Sequence, residues 1–138
     1  MIGYENQTPF ATFKVDVADV VNFANHAIGD RRMVPITGGT VSGQIGNGVV
    51  LPGSDWQWAH ADGTIRLDAH YALQLDSGEQ VEVESRGIRV VCDDGRVYFR
   101  TSIRLTTVAD RPDVNHRLFT SVGTRLANQV ILDLYPVG

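Results

Sequence analysis

The chain has 138 residues, 43% of them hydrophobic, which is enough to bury one core, so we expect a single domain over residues 1–138. Its net charge of -4 argues against a nucleic-acid partner, because such a protein needs a basic face to neutralise phosphates. The absence of a secretory leader and of 18 consecutive apolar residues predicts a cytoplasmic protein without a membrane partner. The one cysteine, Cys92, excludes an internal disulfide.

The first predicted elements are a strand over residues 10–17 and a short helix over residues 17–28. Apolar and polar residues alternate in the strand, as they do in a half-buried β-strand. In the helix, Asp16 would cap the start and Gly29 the end. One helical face would carry Val17, Val20, Val21, Ala24 and Ile28. An extended crossing followed by a loop is the alternative for this segment.

Residues 35–56 form a glycine-rich stretch that ends in the pair Asp55 and Trp56. Glycine at this density permits positive-φ turns and close approach of neighbouring backbones. Two short strands are predicted in this region, near residues 32–36 and 48–51. They lead into a meander of hairpins from Asp55 onward.

Three hairpin turns in the meander share one pattern, with glycine at the third loop position. They are Ala61-Asp62-Gly63, Asp76-Ser77-Gly78 and Asp93-Asp94-Gly95. A type I turn followed by a left-handed residue requires glycine there, so the pattern predicts antiparallel hairpins. It also predicts the register, in which Leu73 faces Val81, Tyr71 faces Val83, His70 faces Glu84, Asp68 faces Arg86, Trp56 faces Asp68 and Trp58 faces Arg66.

The rest of the chain predicts further strands and an all-β fold. Gly87 would introduce a bulge into its strand. Residues 97–105 form the next predicted strand, residues 108–116 a long polar connection, and residues 118–122 and 129–135 the closing strands. About eight short strands joined by hairpins favour a single antiparallel, largely up-and-down β-barrel with a calycin-like or lipocalin-like shape.

Sequence motifs of well-known chemistries do not occur. The chain has no phosphate-binding glycine loop and no Gly-x-Ser-x-Gly nucleophile elbow. Its four histidines lack paired ligand spacing, so we predict neither a metal nor a cofactor. A metal site assembled from His60, His70 and Asp55 or Asp62 is the less favoured alternative. Cys92 adjoins a turn without an activating neighbour, which predicts a structural thiol.

The candidate site is a group of polar and aromatic residues on adjacent predicted strands. The predicted catalytic residues are His70, Glu84, Asp55 and Asp68, and the predicted substrate-binding residues are Trp56, Trp58, Tyr71, Arg86 and Arg100. Inside the barrel, aromatic walls would desolvate a carboxylate or imidazole and move its pKa toward neutrality. We expect Asp68, His70, Glu84 and Trp56 to share one enclosed cavity. In the alternative, apolar side chains fill the barrel and the charges form a solvated ladder outside it.

Several sequence blocks resemble, in order, those of the uncharacterised family known as domain of unknown function 3237 (UPF0311). They include RRMVPITGGTVSG at 31–43, VLPGSDWQ at 50–57, LDAHYAL at 67–73, YFRT at 98–101, NHRLF at 115–119 and VILDLY at 130–135. The resemblance covers nearly the whole chain and implies a compact antiparallel β-barrel, often oligomeric, of unknown activity. His70 stands where members more often carry arginine, whereas the family's recurring blocks include Asp55, Trp56, Asp68, Arg86-Gly87 and Phe99-Arg100.

Three functions are compatible with these observations. The favoured one is a cofactor-independent isomerase, lyase or cyclase that moves protons on a small oxygenated molecule, with His70 as general acid or base and Glu84 orienting it. Asp55 or Asp68 would be the second acid/base group, and Arg86 or Arg100 would bind a carboxylate or enolate. The alternatives are a non-catalytic carrier of a small ligand and a module that associates with copies of itself. A carrier would keep its affinity after His70→Ala, whereas an enzyme would lose turnover.

Overall fold

The computed structural model describes residues 7–138, which form ten β-strands and one short helix. The strands are β1 (Ala11–Val17), β2 (Val21–His26), β3 (Gly29–Gly43), β4 (Gly48–Val50), β5 (Gly53–His60), β6 (Ile65–Leu75), β7 (Gln80–Val91), β8 (Val97–Thr106), β9 (Phe119–Arg125) and β10 (Gln129–Pro136). The helix α1 spans Pro112–Asn115. Every strand pair within residues 7–138 is antiparallel.

The sheet closes into an eight-stranded barrel because β1 pairs with β10 on one side and with β3 on the other. Between β3 and β6, the two strands β4 and β5 occupy one position of the barrel and pair with both neighbours. From β5 to β10, each strand pairs with the next one along the chain. Among the described strands, β2 pairs with β3 alone and lies outside the ring. The predicted antiparallel, largely up-and-down barrel of about eight strands is therefore confirmed.

The three predicted glycine turns connect β5 to β6, β6 to β7 and β7 to β8. Gly63, Gly78 and Gly95 have φ angles of 90°, 90° and 86°, in the left-handed region that glycine adopts at low cost. All six predicted cross-strand pairs occur, including His70 opposite Glu84 and Asp68 opposite Arg86. The register that was predicted from the glycine turns is therefore confirmed.

Two local predictions are wrong. Residues 17–28 do not form a helix, because residues 21–26 are the strand β2, which gains its hydrogen bonds from β3. Backbone pairing with an available strand outweighs a weak helical periodicity. The strand around Gly87 keeps a regular register with β6 and β8, so no bulge forms there.

The polar connection predicted over residues 108–116 contains the helix α1. No helix in the described part of the chain is long and apolar enough to cross a membrane.

Both strands predicted in the glycine-rich region occur, since the one near residues 48–51 is β4 and the one near residues 32–36 is part of the longer β3. Strand β3 runs for 15 residues and pairs with β2 and β5 in its first half and with β1 and β4 in its second. Gly39 lies where β3 meets β1, with φ at 135°. A Cβ at this position would lie 2.0 Å from the carbonyl oxygen of Lys14, so only glycine permits the two backbones to approach and close the barrel.

The two ends of the barrel differ in character. One end is filled by apolar side chains that include Phe10, Ile45, Leu73, Val81, Leu105, Val114 and Phe119, all buried. Arg111 seals this closed end, because its guanidinium donates to the carbonyl of Ile45 at 2.8 Å and to Asp113 at 2.8 Å. At the other end the inward positions carry charged residues, among them Arg32, Arg89 and Arg125. We call this second end the open end.

Candidate active site

The open end of the barrel contains a cavity of about 70 Å³. Its inner wall is apolar and includes Val34, Ile36, Leu67, Phe99 and Leu132. Its charged and amide groups are Arg32, Asp55, Gln57, Arg89 and Arg125. The volume exceeds the roughly 10–15 Å³ that one water molecule needs, so a small ligand has room to enter. An apolar cavity with a few convergent polar groups is the usual form of a small-molecule site.

Strand alternation places the polar groups of β5 inside the barrel. Asp55 and Gln57 point inward, whereas the intervening Trp56 is 37% exposed on the outer wall. Gln57 is buried, with 6% of its surface exposed, so its amide must find partners inside the protein. These partners are Arg32 and Asp55.

Asp55 is held by two donors and is linked to Arg32 through Gln57. The Gln57 amide donates from Nε2 to Asp55 Oδ2 at 2.8 Å, and its Oε1 accepts a hydrogen bond from Arg32 Nε at 2.8 Å. The backbone N–H of Asp68 donates to Asp55 Oδ1 at 3.1 Å. Because Arg32 can only donate, the Gln57 amide has one orientation, and that orientation presents N–H groups to the carboxylate.

The environment of Asp55 raises its pKa from 3.8 to about 6. Burial is the largest cause, because the cavity wall removes water from the charged form. The hydrogen bonds from Gln57 and from the Asp68 backbone lower the pKa, the negative charge of Asp68 raises it, and Arg89 lowers it. Near neutral pH the Asp55 carboxyl is therefore close to the point at which it can either give or take a proton.

Tyr71 lines the same cavity and carries a hydroxyl without a hydrogen-bond partner among the described residues. The side chain is buried, and its ring packs edge-on against Phe13 with centroids 6.5 Å apart. Burial, and then the charge of Asp55, raise the pKa of Tyr71 above its ordinary value. The hydroxyl therefore stays protonated and can donate to a molecule in the cavity. A buried unpaired hydroxyl costs stability, which is typical of a group kept for binding.

Three arginines face the cavity and repel one another. Burial, followed by the charges of Arg125 and Arg32, lowers the pKa of Arg89, and Asp55 only partly offsets this. Arg125 has a buried Nη1 atom without a partner in the described part of the chain. The guanidiniums remain charged, because arginine does not lose its proton in proteins. The open end is therefore an electropositive pocket around one carboxyl group.

Most of the residues predicted as catalytic lie outside this pocket. The expectation that Asp68, His70, Glu84 and Trp56 share one enclosed cavity is wrong, since all four are exposed on the outer wall. Side chains of a strand alternate between the two faces, and on β6 Tyr71 and its apolar neighbours at alternate positions take the inner one. Of the predicted catalytic residues, only Asp55 faces the cavity.

The outer wall carries exposed charge pairs instead. Arg86 Nε lies 3.3 Å from Asp68 Oδ1, and His70 Nε2 lies 3.1 Å from Oε1 of Glu82 rather than of Glu84, which is opposite it in the sheet. The His70 and Glu82 side chains are 64% and 54% exposed. Such pairs are largely hydrated and contribute little to stability. The predicted substrate-binding residue Arg86 is thus engaged outside the barrel.

The predicted aromatic residues divide between the two faces. Tyr71 is inside, whereas Trp56 and Trp58 flank the guanidinium of Arg31 on the outside, at 5.1 and 5.2 Å from the ring centroids. Arg100 also lies on the outer face, where its Nη1 donates to the Phe99 carbonyl at 2.9 Å. The tryptophans therefore hold a cation on the wall and do not line the cavity.

The ligand sets considered for a metal are not assembled in the barrel. Asp55 points inward and His70 outward, so they cannot share an ion. On the outer wall, potential ligand atoms of His70, Glu82 and Glu84 lie within 4.8 Å of one another, but all three residues are exposed. Exposed acidic clusters of this kind are common without an ion, and we assign no metal site to them.

Sequence reasoning missed the cavity residues Arg32, Gln57, Arg89 and Arg125. A signal for them was present, because each continues the inward alternation of its strand beyond buried residues. Gln57 is two positions after Asp55, and Arg125 is four positions after the buried Ser121. A charged residue at a position that strand alternation places on the buried face lowers the stability of the fold, so such a residue indicates a functional position.

Comparison with known sequences links this barrel to one family. Residues 6–137 match the family described as "Protein of unknown function (DUF3237)". A UPF0311 protein of Clostridium acetobutylicum is 35% identical over 126 residues, which cover 80% of this chain and 79% of the relative. A crystal structure of a conserved protein of unknown function from Rhodopseudomonas palustris aligns with a TM-score of 0.87 at 32% identity, covering 95% of this chain and 96% of that one.

Two further matches come from the fungus Penicillium herquei. The hydroalkoxylation enzyme phnH of that fungus is 41% identical over 73 residues, which cover 52% of this chain and 46% of the enzyme. A crystal structure described as an enzyme from the same species aligns with a TM-score of 0.68 at 18% identity and covers 97% of this chain and all of that one. At this identity the structural match shows a shared fold alone.

Proposed function

The chain belongs to the DUF3237 family, and we propose that it is a cofactor-independent enzyme that transfers protons on a small oxygenated organic molecule bound in the barrel. The reaction class is isomerisation, elimination, hydration or cyclisation. These reactions only redistribute protons and bonds within the substrate and water, so one acid/base residue in a sheltered cavity can carry them.

The observation that carries this proposal is the buried carboxyl of Asp55, whose pKa is raised to about 6. A carboxyl poised near neutral pH in a cavity is a characteristic of enzyme active sites. Two hydrogen bonds fix its position, and the Tyr71 hydroxyl, which has no partner among residues 7–138, faces the same space. Asp55 is the acid or base, and Tyr71 donates a hydrogen bond to a substrate oxygen.

The hydroalkoxylation enzyme supports a specific form of this chemistry. Hydroalkoxylation adds an alcohol across a carbon–carbon double bond, so one carbon gains a proton and the other forms a bond to oxygen, while the hydroxyl loses its proton. No oxidant or reductant is consumed. In this chain, protonated Asp55 would supply the proton to carbon, and after the ring closes its carboxylate would take the proton from the oxygen. The apolar wall would keep water from competing with the hydroxyl for the carbon that forms the new bond to oxygen.

The test uses 2-methallylphenol, which holds a hydroxyl and a double bond in one small molecule, within a panel of hydroxyalkenes and enolisable ketones. Ring closure, proton exchange and hydration are followed by mass spectrometry and by deuterium uptake from D2O. We expect wild-type turnover on at least one compound and a loss of about 10²–10⁴-fold in Asp55→Asn. The matched control is Asp93→Asn, in an exposed turn, which should retain full turnover.

A non-catalytic carrier is the alternative outcome, favoured by the apolar inner wall of the cavity. In that case panel compounds would bind in the cavity of wild type and of Asp55→Asn with the same affinity, and no compound would exchange deuterium or change mass. Equal turnover of wild type and Asp55→Asn would contradict the role of Asp55 even if the protein is an enzyme.

A further inference from the structure

We infer that the molecule bound in the barrel is an organic anion, whose carboxylate or phenolate oxygen is held by Arg89 and Arg125 while its apolar part lies against the inner wall. The inference names the substrate class of the proposed enzyme and in that sense rests on the proposed function. Anion binding itself does not depend on catalysis.

The charges that line the cavity do not balance. Three guanidiniums, those of Arg32, Arg89 and Arg125, share the space with the single carboxyl of Asp55. The ion pairs within residues 7–138 involve none of these three arginines. Even with Asp55 ionised, two positive charges remain without a counter-charge among the described residues that line the cavity, and because the arginines are half-buried their charges are only partly hydrated.

The arginines differ in how far their donors are used. Arg32 donates to Gln57 at 2.8 Å and is therefore partly satisfied. Arg125 keeps a buried Nη1 that meets no acceptor within the described residues. Arg89 faces the charges of Arg32 and Arg125 across the cavity. Within residues 7–138 the free donors thus belong to Arg89 and Arg125, and a planar guanidinium matches the geometry of a carboxylate and can also donate to a phenolate oxygen.

The position of these arginines also defines how the rest of the ligand lies. Arg89 is on β7 and Arg125 on β9, and between them β8 contributes the buried ring of Phe99 to the cavity wall. An anion at the two guanidiniums would therefore place the adjoining carbon atoms against Phe99. An inorganic anion would leave this apolar surface unused, so the site fits an organic anion better.

The test compares benzoate with its uncharged isostere benzamide and with inorganic phosphate. Affinities for the isotope-labelled wild-type protein are measured by NMR titration at pH 7.5 and low salt. We expect benzoate to perturb the cavity residues and to bind at least about tenfold more tightly than benzamide or phosphate. In Arg89→Met and in Arg125→Met, benzoate should lose about tenfold or more in affinity, while benzamide should change little. The control is Arg104→Met, an exposed arginine of β8 outside the cavity.

Equal affinity of the wild type for benzoate and benzamide, or no saturable binding of benzoate at millimolar concentration, would overturn the inference without any variant. Phosphate binding as tight as that of benzoate would overturn the assignment of an organic anion. None of these results bears on turnover in the Asp55→Asn comparison, so failure of anion binding and failure of the proposed enzyme are distinguishable. If the protein binds benzoate selectively but turns over no compound, the anion site is supported and the proposed enzymatic function is refuted.

Discussion

The side-chain amide of Gln57 donates a hydrogen bond of 2.8 Å to Asp55, the residue two positions before it on the inner face of β5. The other end of the amide is fixed by Arg32, also at 2.8 Å. Gln57 therefore positions the carboxyl and holds down its pKa, while burial raises the pKa further than Gln57 lowers it. Gln57 is a positioning residue in this site rather than a catalytic one.

Replacing Gln57 by leucine should raise the pKa of Asp55 above its present value of about 6. The substitution removes a hydrogen bond that favours the ionised carboxylate and adds no charge. A carbon-detected NMR titration of the Asp55 carboxyl measures this directly in the folded variant. The matched change Gln74→Leu lies far along the barrel and should leave the titration unaltered. An unchanged or lowered pKa in Gln57→Leu would contradict the positioning role.

The substitution Tyr71→Phe should lower turnover without lowering the free energy of unfolding. The hydroxyl of Tyr71 is buried without a partner in the described part of the chain, so its removal should leave the free energy of unfolding unchanged or raise it by about 1 kcal/mol. Turnover of any substrate found in the panel should fall about tenfold, because a hydrogen-bond donor to the substrate is lost. Urea denaturation and initial rates test the two effects, with the exposed Tyr98→Phe as control. A destabilised variant with full turnover would show that the hydroxyl is structural.

The stability of Asp55→Asn, compared with that of the wild type, should increase as the pH rises. The Asp55 carboxyl has a pKa of about 6 in the folded protein and 3.8 in the unfolded chain, so the folded protein binds the proton more tightly. The free energy of unfolding of the wild type therefore falls as the pH rises from about 4 to 6, and it stays at the lower value at higher pH. Between pH 5 and 7.5 this loss is about 1 kcal/mol. Asparagine does not titrate, so the difference in unfolding free energy between variant and wild type should move by that amount in favour of the variant.

Urea denaturation of both proteins at pH 5 and pH 7.5 measures this shift. Because the two proteins share every other titrating group, the difference between them isolates residue 55. A difference that is constant over this range would mean that the Asp55 pKa is not raised in the folded protein.

A bound anion should raise the pKa of Asp55 further. The groups that act on this carboxyl are the Gln57 amide linked to Arg32, the backbone and charge of Asp68, and Arg89. A negative ligand at Arg89 offsets part of the positive charge that favours the ionised carboxylate and adds repulsion, so the protonated form of Asp55 is favoured. NMR titration of Asp55 with saturating benzoate should show the increase, and benzamide should not produce it. The substrate would thereby load the proton that the reaction uses.

Gly39→Ala and Gly38→Ala should differ sharply although the residues are adjacent. A Cβ on Gly39 would lie 2.0 Å from the Lys14 carbonyl oxygen, at a backbone φ of 135°. A Cβ on Gly38 would meet nothing nearer than 3.8 Å. We expect a loss of about 3 kcal/mol or more for Gly39→Ala, since the seam between β1 and β3 must separate, and a change within about 0.5 kcal/mol for Gly38→Ala. Thermal unfolding of the two variants decides this, and similar melting temperatures would contradict it.

The sequence by itself determined the fold class, the hairpins and their register. Each glycine turn is a local structure whose conformation depends on three neighbouring residues, and the turn then dictates which residues face each other. This is why the pairs of Asp68 with Arg86 and of Trp56 with Asp68 were predictable from composition and spacing alone. The alternation of β6 and β7 separated an apolar face from a charged one, but it did not decide which of the two faces points into the barrel.

The tertiary structure decided which residues form the site. At the open end both faces of β5 are mixed, with tryptophans outside and Asp55 and Gln57 inside, so hydrophobicity no longer distinguishes the faces. The inner face is defined by closure of the sheet, which joins β1 to β10 through contacts such as Thr12 to Asp133, 121 residues apart. Pairing of β3 with β5 places Arg32 opposite Gln57, but only closure of the barrel brings Arg89 of β7 and Arg125 of β9 to the same carboxyl, because neither strand pairs with β5.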